Sequence, residues 1–457
     1  MGADMPGGPE DPATQRRRAT EAHQGGDLDT ARTVYAAYLA QVPGDALAWS
    51  NLGALHRTEK RYDQARRAHE RALALAPESD PIAQNAANVF SDIGAYDRSI
   101  ALRRRLLAAR PDDPVQLGLI GRCLRGQGRY REAIDWLATA LEAHPEEPEL
   151  HMQMAFAQLA AGDYARGFEH YRWRWQAGEL APRTLDLPEW QGEPLDGRTI
   201  LVLPEQGFGD AILFARFLPR LKALGARVVM PVKRPLMRLF TGLPGVDSLS
   251  PAGETPDVYV NMMDLALLHF RDSDTVPPPP PLHVPDDSDA RARRILQPLR
   301  GPLKVGVVWT GSVTYKGNAF RSFSHTDYLP LADIAGVQLV SLYKGPELVP
   351  YRADGSDAFL VDAGATERDF ADTAAMMRHL DLVITSDTAT AHLAGTLGVP
   401  TWCVLHWDPF WVWGHEGETT PWYPGMRLFR QTVPMDWAGV MAEVGVALGR
   451  QVESANE

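Results

Sequence analysis

The sequence has few cysteines, no excess of basic residues and no long apolar run. Its 457 residues include two cysteines, which argues against a disulfide framework or a cysteine-rich zinc site and suits a reducing compartment. Lysine and arginine number 46 against 58 acidic residues, so a nucleic-acid-binding surface is not expected. No stretch approaches a membrane span, and the N-terminal residues lack the apolar core of a signal peptide. We therefore expect a cytoplasmic protein.

A repeat with a period of 34 residues fills the first third of the chain. Its clearest copy, 46–79, carries Trp49, Leu52, Gly53, Tyr62, Ala65, Ala72 and Pro77. Copies that begin near residues 12, 80, 114 and 148 keep the same phase, including a proline at Pro43, Pro77, Pro111 and Pro145. Small residues where two helices cross and proline at the repeat end are typical of tetratricopeptide repeats. Five stacked helical hairpins with a concave groove are therefore predicted.

The sixth position of each repeat is predicted to face this groove. Amide side chains occupy it at Asn51, Asn85 and Gln153. Amides can bond a peptide backbone without reading its sequence, so we predict that these three bind a polypeptide acceptor. The pattern resembles the asparagine ladder of the nucleocytoplasmic O-GlcNAc transferases. Ordinary polar surface explains the same residues equally well.

Two α/β regions follow the repeats. Strand Thr199–Leu203, a Gly-Phe-Gly-Asp loop at 207–210 and a helix to about residue 224 predict a parallel βαβ unit. The loop lacks the full dinucleotide-binding fingerprint. After five prolines at 277–281, further strands are predicted at Leu303–Trp309, Gln338–Leu342, Leu382–Thr385 and Thr401–Leu405, with helices at Asp369–Leu380 and Asp436–Leu448.

Two α/β halves joined by a proline hinge describe the GT-B glycosyltransferase architecture. The predicted fold is an N-terminal all-α tetratricopeptide solenoid followed by an α/β GT-B region with two Rossmann-like halves. The predicted domains are the repeats at 12–181, an acceptor-side half at 182–281 and a nucleotide-sugar half at 282–457.

Short motifs support this interpretation. They are Glu-Gln-Gly-Phe-Gly-Asp at 205–210, Gly-Val-Val-Trp-Thr-Gly at 306–311, Arg-Ser at 321–322, Asp-Thr-Ala-Thr-Ala-His-Leu-Ala-Gly at 387–395, Trp-Tyr-Pro at 422–424 and Arg-Leu-Phe-Arg at 427–430. With them the chain resembles bacterial tetratricopeptide-containing glycosyltransferases, which are related to the ADP-heptose heptosyltransferases of lipopolysaccharide synthesis. The domain order also resembles that of the soluble flagellin glycosyltransferases.

The donor phosphate is predicted to bind at a helix N-terminus, where free backbone N–H groups and the helix dipole favour an anion. The resemblance implies that Asp387 contacts the donor sugar and that the N–H groups of Thr388, Ala389, Thr390 and Ala391 meet the phosphate. Helix capping by Asp387 or Thr388 is the simpler explanation of the same residues. We also assign His392 to this site, although a histidine packed inside the helix fits the sequence as well.

Asp210 is the predicted general base, which would take the proton of the acceptor hydroxyl as its oxygen attacks the anomeric carbon. The heptosyltransferases place an aspartate in this role at the matching motif. Asp210 could instead act only as a helix N-cap, and Glu205 is a competing base. The adjacent Gly209 is assigned to the donor site.

Two cations in the loop after Leu303–Trp309, Lys316 and Arg321, are predicted to stabilise the leaving phosphate, so that no metal is required. The triplets Asp272–Asp274 and Asp287–Asp289 are interpreted as surface charge. The indoles of Trp407, Trp411 and Trp413 either pack a seam or stack on the donor.

The sequence thus predicts an inverting protein O-glycosyltransferase with no cofactor beyond a nucleotide-sugar donor. Its repeats would recruit a polypeptide, with flagellin as the preferred acceptor, and a nonulosonic acid such as pseudaminic acid, carried by CMP, as the preferred sugar. Two alternatives remain open. One is a transferase acting on a saccharide or lipid-linked acceptor, and the other is a non-catalytic scaffold with a degenerate transferase fold.

Overall fold

The computed structural model describes residues 11–456, except 179, 182, 206, 300–302 and 316. The chain divides into two compact units, one up to residue 153 and one from residue 154 onward. The division does not test the domain limits predicted at residues 181 and 281, which stay predictions. No helix in the described part of the chain combines the length and the apolarity needed to cross a membrane.

Antiparallel helical hairpins form the N-terminal part, as the period of 34 predicts. The helices are α1 (Pro12–Gln24), α2 (Leu28–Gln41), α3 (Ala46–Thr58), α4 (Tyr62–Leu75), α5 (Asp80–Asp92), α6 (Tyr96–Ala109), α7 (Pro114–Gly126), α8 (Tyr130–Ala143), α9 (Pro148–Ala160) and α10 (Tyr164–Tyr171). Each hairpin turns through one residue with positive φ, at Gly26, Lys60, Gly94, Gly128 and Gly162. Lysine therefore occupies, in the second repeat, a left-handed position that favours glycine.

Close helix crossings explain the small residues of the repeat. A Cβ on Gly53 would lie 2.6 Å from the imidazole of His69, and one on Gly121 would lie 2.6 Å from the Leu137 side chain. His69 and Leu137 occupy the same repeat position and are fully buried. Both ring nitrogens of His69 lack a hydrogen-bond partner among the described residues. This histidine therefore replaces an apolar core residue.

The first α/β part contains a parallel sheet of three strands in the order β2-β1-β3. Its elements are β1 (Thr199–Leu203), α11 (Phe208–Phe214), α12 (Pro219–Ala223), β2 (Arg227–Val229), β3 (Val258–Asn261) and α13 (Asp264–Phe270). The sequence predicts one continuous helix after β1. The structure breaks it between α11 and α12, because proline cannot donate a hydrogen bond within a helix.

The second α/β part contains a parallel sheet of six strands in the order β6-β5-β4-β7-β8-β9. Its elements are α14 (Asp286–Leu296), β4 (Leu303–Val308), α15 (Asn318–Arg321), α16 (Leu329–Ala332), β5 (Val337–Ser341), α17 (Leu348–Ala353), β6 (Leu360–Asp362), α18 (Phe370–Arg378), β7 (Leu382–Ser386), α19 (Ala389–Leu397), β8 (Thr401–Leu405), β9 (Met426–Arg430) and α20 (Trp437–Asn456). A helical array followed by an α/β region with two parallel sheets is thus confirmed.

Aromatic side chains join the last repeat helix to the α/β region. Phe168 of α10 stacks on Phe270 of α13, with ring centroids 5.8 Å apart. Tyr164, also on α10, meets the edge of the Trp422 ring at 5.5 Å and accepts a hydrogen bond of 3.1 Å from its indole nitrogen. We call the packed rings of Tyr164, Phe168, Phe214, Phe217, Phe270, Trp411 and Trp422 the aromatic cluster. Helix α10 therefore packs as part of the second unit.

Candidate functional site

The strand order of the larger sheet locates a crevice. Strands β4, β5 and β6 follow one another towards one edge, whereas β7, β8 and β9 run towards the other. The order therefore reverses between β4 and β7, and open α/β sheets bind ligands outside the carboxyl ends of the strands at such a point. The residues there are Trp309–Ser312 after β4 and Asp387–Thr388 after β7. These are the segments that the sequence assigns to the donor.

The turn after β7 leads directly into α19. Thr388 is the N-cap of α19, and its hydroxyl accepts a hydrogen bond of 3.3 Å from the N–H of Thr390. Capping therefore accounts for Thr388 but not for Asp387. The residue Asp387 is 4% exposed, and no described residue forms a hydrogen bond or ion pair with its carboxylate. A buried carboxylate without a partner is unfavourable unless something else binds it.

The loop after β4 brings Arg321 to the same turn. A Cβ on Gly311 would lie 3.1 Å from three atoms, Arg321 Nη2, Asn318 Oδ1 and the methyl carbon of Thr388. The Arg321 guanidinium lies 4.5 Å from the centroid of the Tyr315 ring. Arg321 therefore stands beside the N-terminus of α19, and its role towards a donor phosphate stays a prediction. Lys316, the other predicted cation, lies outside the described residues.

Helix α11 of the smaller sheet packs against α19 of the larger sheet. A Cβ on Gly209 would lie 3.3 Å from the Cα of Ala389 and 3.0 Å from Cδ2 of His392. Such close approach favours glycine at residue 209, because a Cβ would require the neighbouring atoms to shift by a few tenths of an ångström. The structure thus brings together the two sequence motifs that were predicted separately, one around Asp210 and one around Asp387.

Asp210 is the third residue of α11, and Gly207 is the N-cap. The N–H of Gly207 donates a hydrogen bond of 2.8 Å to Asp210 Oδ2. The suggestion that Asp210 itself is the N-cap is therefore wrong. Burial raises the pKa of the Asp210 carboxyl; the Gly207 hydrogen bond lowers it, the nearby charge of Asp387 raises it, and Arg321 lowers it. A raised pKa makes this carboxylate a stronger base.

Glu205 has a different environment from Asp210. Its fully buried carboxylate forms a bidentate ion pair with Arg174, with N–O distances of 2.7 and 2.9 Å. The N–H of Met263 donates to the same carboxylate at 3.2 Å, and Arg174 also bonds Asp264 at 2.9 Å. Because both Glu205 oxygens are already bonded, we regard Glu205 as a structural residue and Asp210 as the better candidate base.

The remaining residues assigned to the donor site are packed inside the protein. His392 is 5% exposed, stacks on Trp413 with centroids 5.2 Å apart, and lies with Nδ1 3.2 Å from the Tyr423 hydroxyl. Burial lowers the pKa of His392 to about 4, so the ring is neutral near pH 7. The Trp411 ring belongs to the aromatic cluster. Packing therefore explains these two tryptophans, while Trp407 lies with its ring centroid 6.0 Å from that of Phe320.

The three amides assigned to the acceptor have unequal surroundings. Asn51 is partly exposed. The Asn85 amide donates to the Ser50 hydroxyl at 3.2 Å. Gln153 is 7% exposed and donates to Glu149 at 2.7 Å. Asn51 is thus the amide best placed to bind a peptide, and a role for all three stays a prediction.

The described residues contain no group of three or more histidine, cysteine or acidic side chains positioned to hold a metal ion. The aspartates Asp287 and Asp289, taken from sequence as surface charge, both have partners. Asp287 forms an ion pair with Arg238 at 2.6 Å, and Asp289 lies within hydrogen-bond distance of His379 Nε2, at 2.7 Å.

Two arginines that the sequence analysis missed have a structural part in the site. Arg174 fixes the segment after β1 through Glu205. Arg216 is 3% exposed, and its Nη1 donates to the carbonyl of Trp422 at 2.9 Å and to that of Pro277 at 3.3 Å. A charged residue within an apolar run, such as Arg216 in Leu-Phe-Ala-Arg-Phe-Leu at 213–218, is the signal that could have pointed to a buried role.

Comparison with known proteins supports the repeats directly. Family models described as tetratricopeptide repeat match residues 16–80, 56–123 and 124–167. The protein FlbA of Caulobacter vibrioides is 27% identical over 455 residues, covering 92% of this chain and 75% of FlbA. The N-terminal third is a tetratricopeptide-repeat array, and the chain is a distant homologue of FlbA.

Solved structures of MamA are also similar to part of the chain. MamA from Desulfovibrio magneticus RS-1 is 18% identical, covers 37% of this chain and 98% of its own, and superposes with a TM-score of 0.34. Another MamA structure is 14% identical, covers 38% and 98%, and has a TM-score of 0.33.

Proposed function

We propose that the chain is an inverting glycosyltransferase that uses a nucleotide sugar and modifies serine or threonine of a polypeptide. One observation carries the proposal. Asp210 lies within the electrostatic field of Asp387 and Arg321, at the contact where α11 meets the N-terminus of α19. A base from one α/β part and an anion site from the other are what a GT-B transferase requires. The two parallel sheets are consistent with that fold.

The reaction follows from these positions. The acceptor hydroxyl oxygen attacks the anomeric carbon while Asp210 takes its proton. The bond between the anomeric carbon and the phosphate oxygen breaks, and the electron pair leaves with the nucleotide phosphate. The N–H groups at Thr388 to Ala391 and the Arg321 guanidinium stabilise that charge. A single displacement inverts the anomeric centre.

The donor and acceptor belong to the same proposal. We infer a CMP-linked nonulosonic acid, such as pseudaminic acid, and flagellin, because the domain order resembles that of soluble flagellin glycosyltransferases. The repeats are suited to holding a polypeptide, since tetratricopeptide arrays present a concave binding surface. Binding of the donor is proposed to need no divalent metal.

Calorimetric titration of the purified protein with CMP, ADP, UDP and GDP, each with and without a chelator, tests the proposal. We expect one nucleotide to bind, its affinity to survive the chelator, and Asp387→Asn to change the binding of its sugar conjugate. The matched control is Asp381→Asn, because Asp381 lies just before the first residue of β7 and, within the described part of the chain, accepts only the backbone N–H of Lys304, at 2.7 Å. Failure of all four nucleotides to bind would favour the scaffold alternative.

A further inference from the structure

A cavity of about 280 Å³ lies within the C-terminal unit, and residues of the turn after β7 do not line it. Its walls include three carboxylates, two guanidinium groups and two indoles: Glu169, Glu189, Asp264, Arg172, Arg174, Trp173 and Trp175. The Arg172 guanidinium lies 3.6 Å from the Glu169 carboxylate, which balances its charge. The residues come from α10, from the single 3₁₀ turn that follows it, from the segment alongside β3 and from the start of α13. None of these residues has a place in the proposed transfer chemistry.

One wall of the cavity lies at the same edge of the smaller sheet as the candidate base. Parallel strands β1 and β3 pair with Leu203 opposite Asn261, so the residues that follow them share one edge. Asp264 follows β3 and lines the cavity, while Asp210 follows β1. If the fold is GT-B, the half that contains the smaller sheet is the acceptor side. A ligand in the cavity would therefore approach the base along this edge.

Glu189 is the wall carboxylate without a cationic partner. Asp264 is paired with Arg174, and Glu169 lies 3.1 Å from Arg271. Glu189, by contrast, is exposed and accepts only the Asn261 amide, at 3.2 Å, among the described residues. The negative charges of Glu189 and Asp264 also act on the neighbouring Tyr259. Burial raises the pKa of Tyr259, and the charges of Glu189 and Asp264 raise it further, against a smaller opposite effect of Arg183.

The Trp175 indole gives the cavity a wall that attracts cations. Trp175 already lies beside two guanidinium groups, those of Arg174 at 5.0 Å and Arg183 at 5.7 Å. Aromatic faces attract guanidinium and ammonium groups, and a nearby carboxylate adds a charge-assisted hydrogen bond. An open carboxylate and an indole wall in one cavity fit a basic side chain.

We propose that this cavity is an acceptor subsite that holds an arginine or lysine side chain of the polypeptide, with Glu189 as its counter-ion. The inference rests on the proposed function for the polypeptide nature of the acceptor. It adds a sequence preference, namely a basic residue near the modified hydroxyl, which backbone-binding amides in the repeats would not supply.

Peptide binding to the full-length protein, without donor, tests this. The probes are the amidated peptide Gly-Ser-Gly-Arg-Gly-Ser-Gly and the same peptide with uncharged citrulline in place of arginine, followed by ligand-observed NMR. The wild type should bind the arginine peptide more tightly. Glu189→Gln, which keeps the oxygen that accepts from Asn261, should weaken that binding about tenfold and leave the citrulline peptide unchanged.

Asp186→Asn is the matched control, because Asp186 is an exposed carboxylate three residues before Glu189. It should bind both peptides as the wild type does. Equal binding of the two peptides to the wild type, no saturable binding of either at millimolar concentration, or an unchanged affinity in Glu189→Gln would each overturn the subsite. Because no donor is present, a failed transfer reaction would leave this result intact.

Discussion

Gly209 faces the backbone of Ala389, and a Cβ on Gly209 would lie 3.3 Å from the Ala389 Cα. The contact joins the first helix of one sheet to the proposed phosphate-binding helix of the other. Side-chain adjustment cannot relieve a clash with backbone atoms. The spacing between Asp210 and the turn at Asp387 therefore depends on the absence of a side chain at this one position.

Gly209→Val should consequently weaken nucleotide-sugar binding and slow transfer together. Overpacking of this kind costs about 1–3 kcal/mol, which the protein can relieve by separating α11 from α19. Calorimetry with the donor and a thermal melt measure the two effects. Gly425→Val is the control, because a Cβ on Gly425 meets no atom within 4 Å. Equal donor affinity in the two variants would contradict the role assigned to this contact.

Asp210→Asn should lower the transfer rate by about 10² to 10⁴ while donor affinity stays close to that of the wild type. Asparagine retains an oxygen that can accept the Gly207 N–H, so the fold should be preserved. Because the pKa of Asp210 is raised, kcat/KM of the wild type should fall, as pH decreases, at a higher pH than an ordinary aspartate would give. An unchanged rate in the variant would end the assignment of Asp210 as base.

Glu205→Gln should destabilise the C-terminal unit rather than alter its chemistry alone. Glu205→Gln removes one carboxylate of this buried ion pair and leaves Arg174 with Asp264 as its remaining acidic partner, so the loss of unfolding free energy should approach the roughly 3–5 kcal/mol that breaking a buried pair costs. Chemical denaturation of the variant and of Asp210→Asn, side by side, separates the two carboxylates. Wild-type stability in Glu205→Gln would show that the pair is dispensable.

His69→Leu should increase the unfolding free energy of the repeats and reduce the dependence of that free energy on pH. Burial lowers the pKa of His69 to about 4 in the folded state, against about 6.5 when unfolded. The unfolded chain then binds more protons between these values, so stability decreases as pH falls from about 6.5 towards about 4, by up to about 3 kcal/mol. Leucine already fills the same repeat position at Leu137. Helical circular dichroism during urea unfolding at several pH values measures the effect, and identical pH slopes would contradict it.

The sequence predicts the repeated and strongly apolar elements well. Strands Thr199–Leu203 and Thr401–Leu405 agree residue for residue with the structure, and the hairpin turns keep the period of 34. Short edge strands β3 and β6 have only four and three residues, too few for a periodic pattern to be recognised. The last helix continues to Asn456, beyond the predicted end at Leu448, because Gly449 stays helical and does not adopt the left-handed conformation of a C-cap.

The candidate site was predictable in its parts and not in its assembly. Helix starts at glycine-rich turns are visible in sequence, and these gave Asp210 and Asp387. The ion-pair partner of Glu205 could not be predicted, because Arg174 lies 31 residues earlier, in a short run of arginine and tryptophan that has no recognisable motif. Nor does any local signal show that Asp387 is buried without a partner. Such pairings arise only when distant segments fold together.

The aromatic cluster limits where the chain can be truncated or joined to the repeats of a relative. Tyr164 and Phe168 cover rings of the α/β region, so a cut at residue 181, which takes away all five hairpins, also removes this cover, whereas a cut before α9 retains it. The second helix of the final hairpin therefore belongs to the same compact unit as the α/β region. We expect that only the hairpins before residue 154 can be replaced by those of a relative. We expect an exchange of repeat hairpins between relatives to be tolerated upstream of that point, provided that α10 is kept together with the α/β region against which it packs.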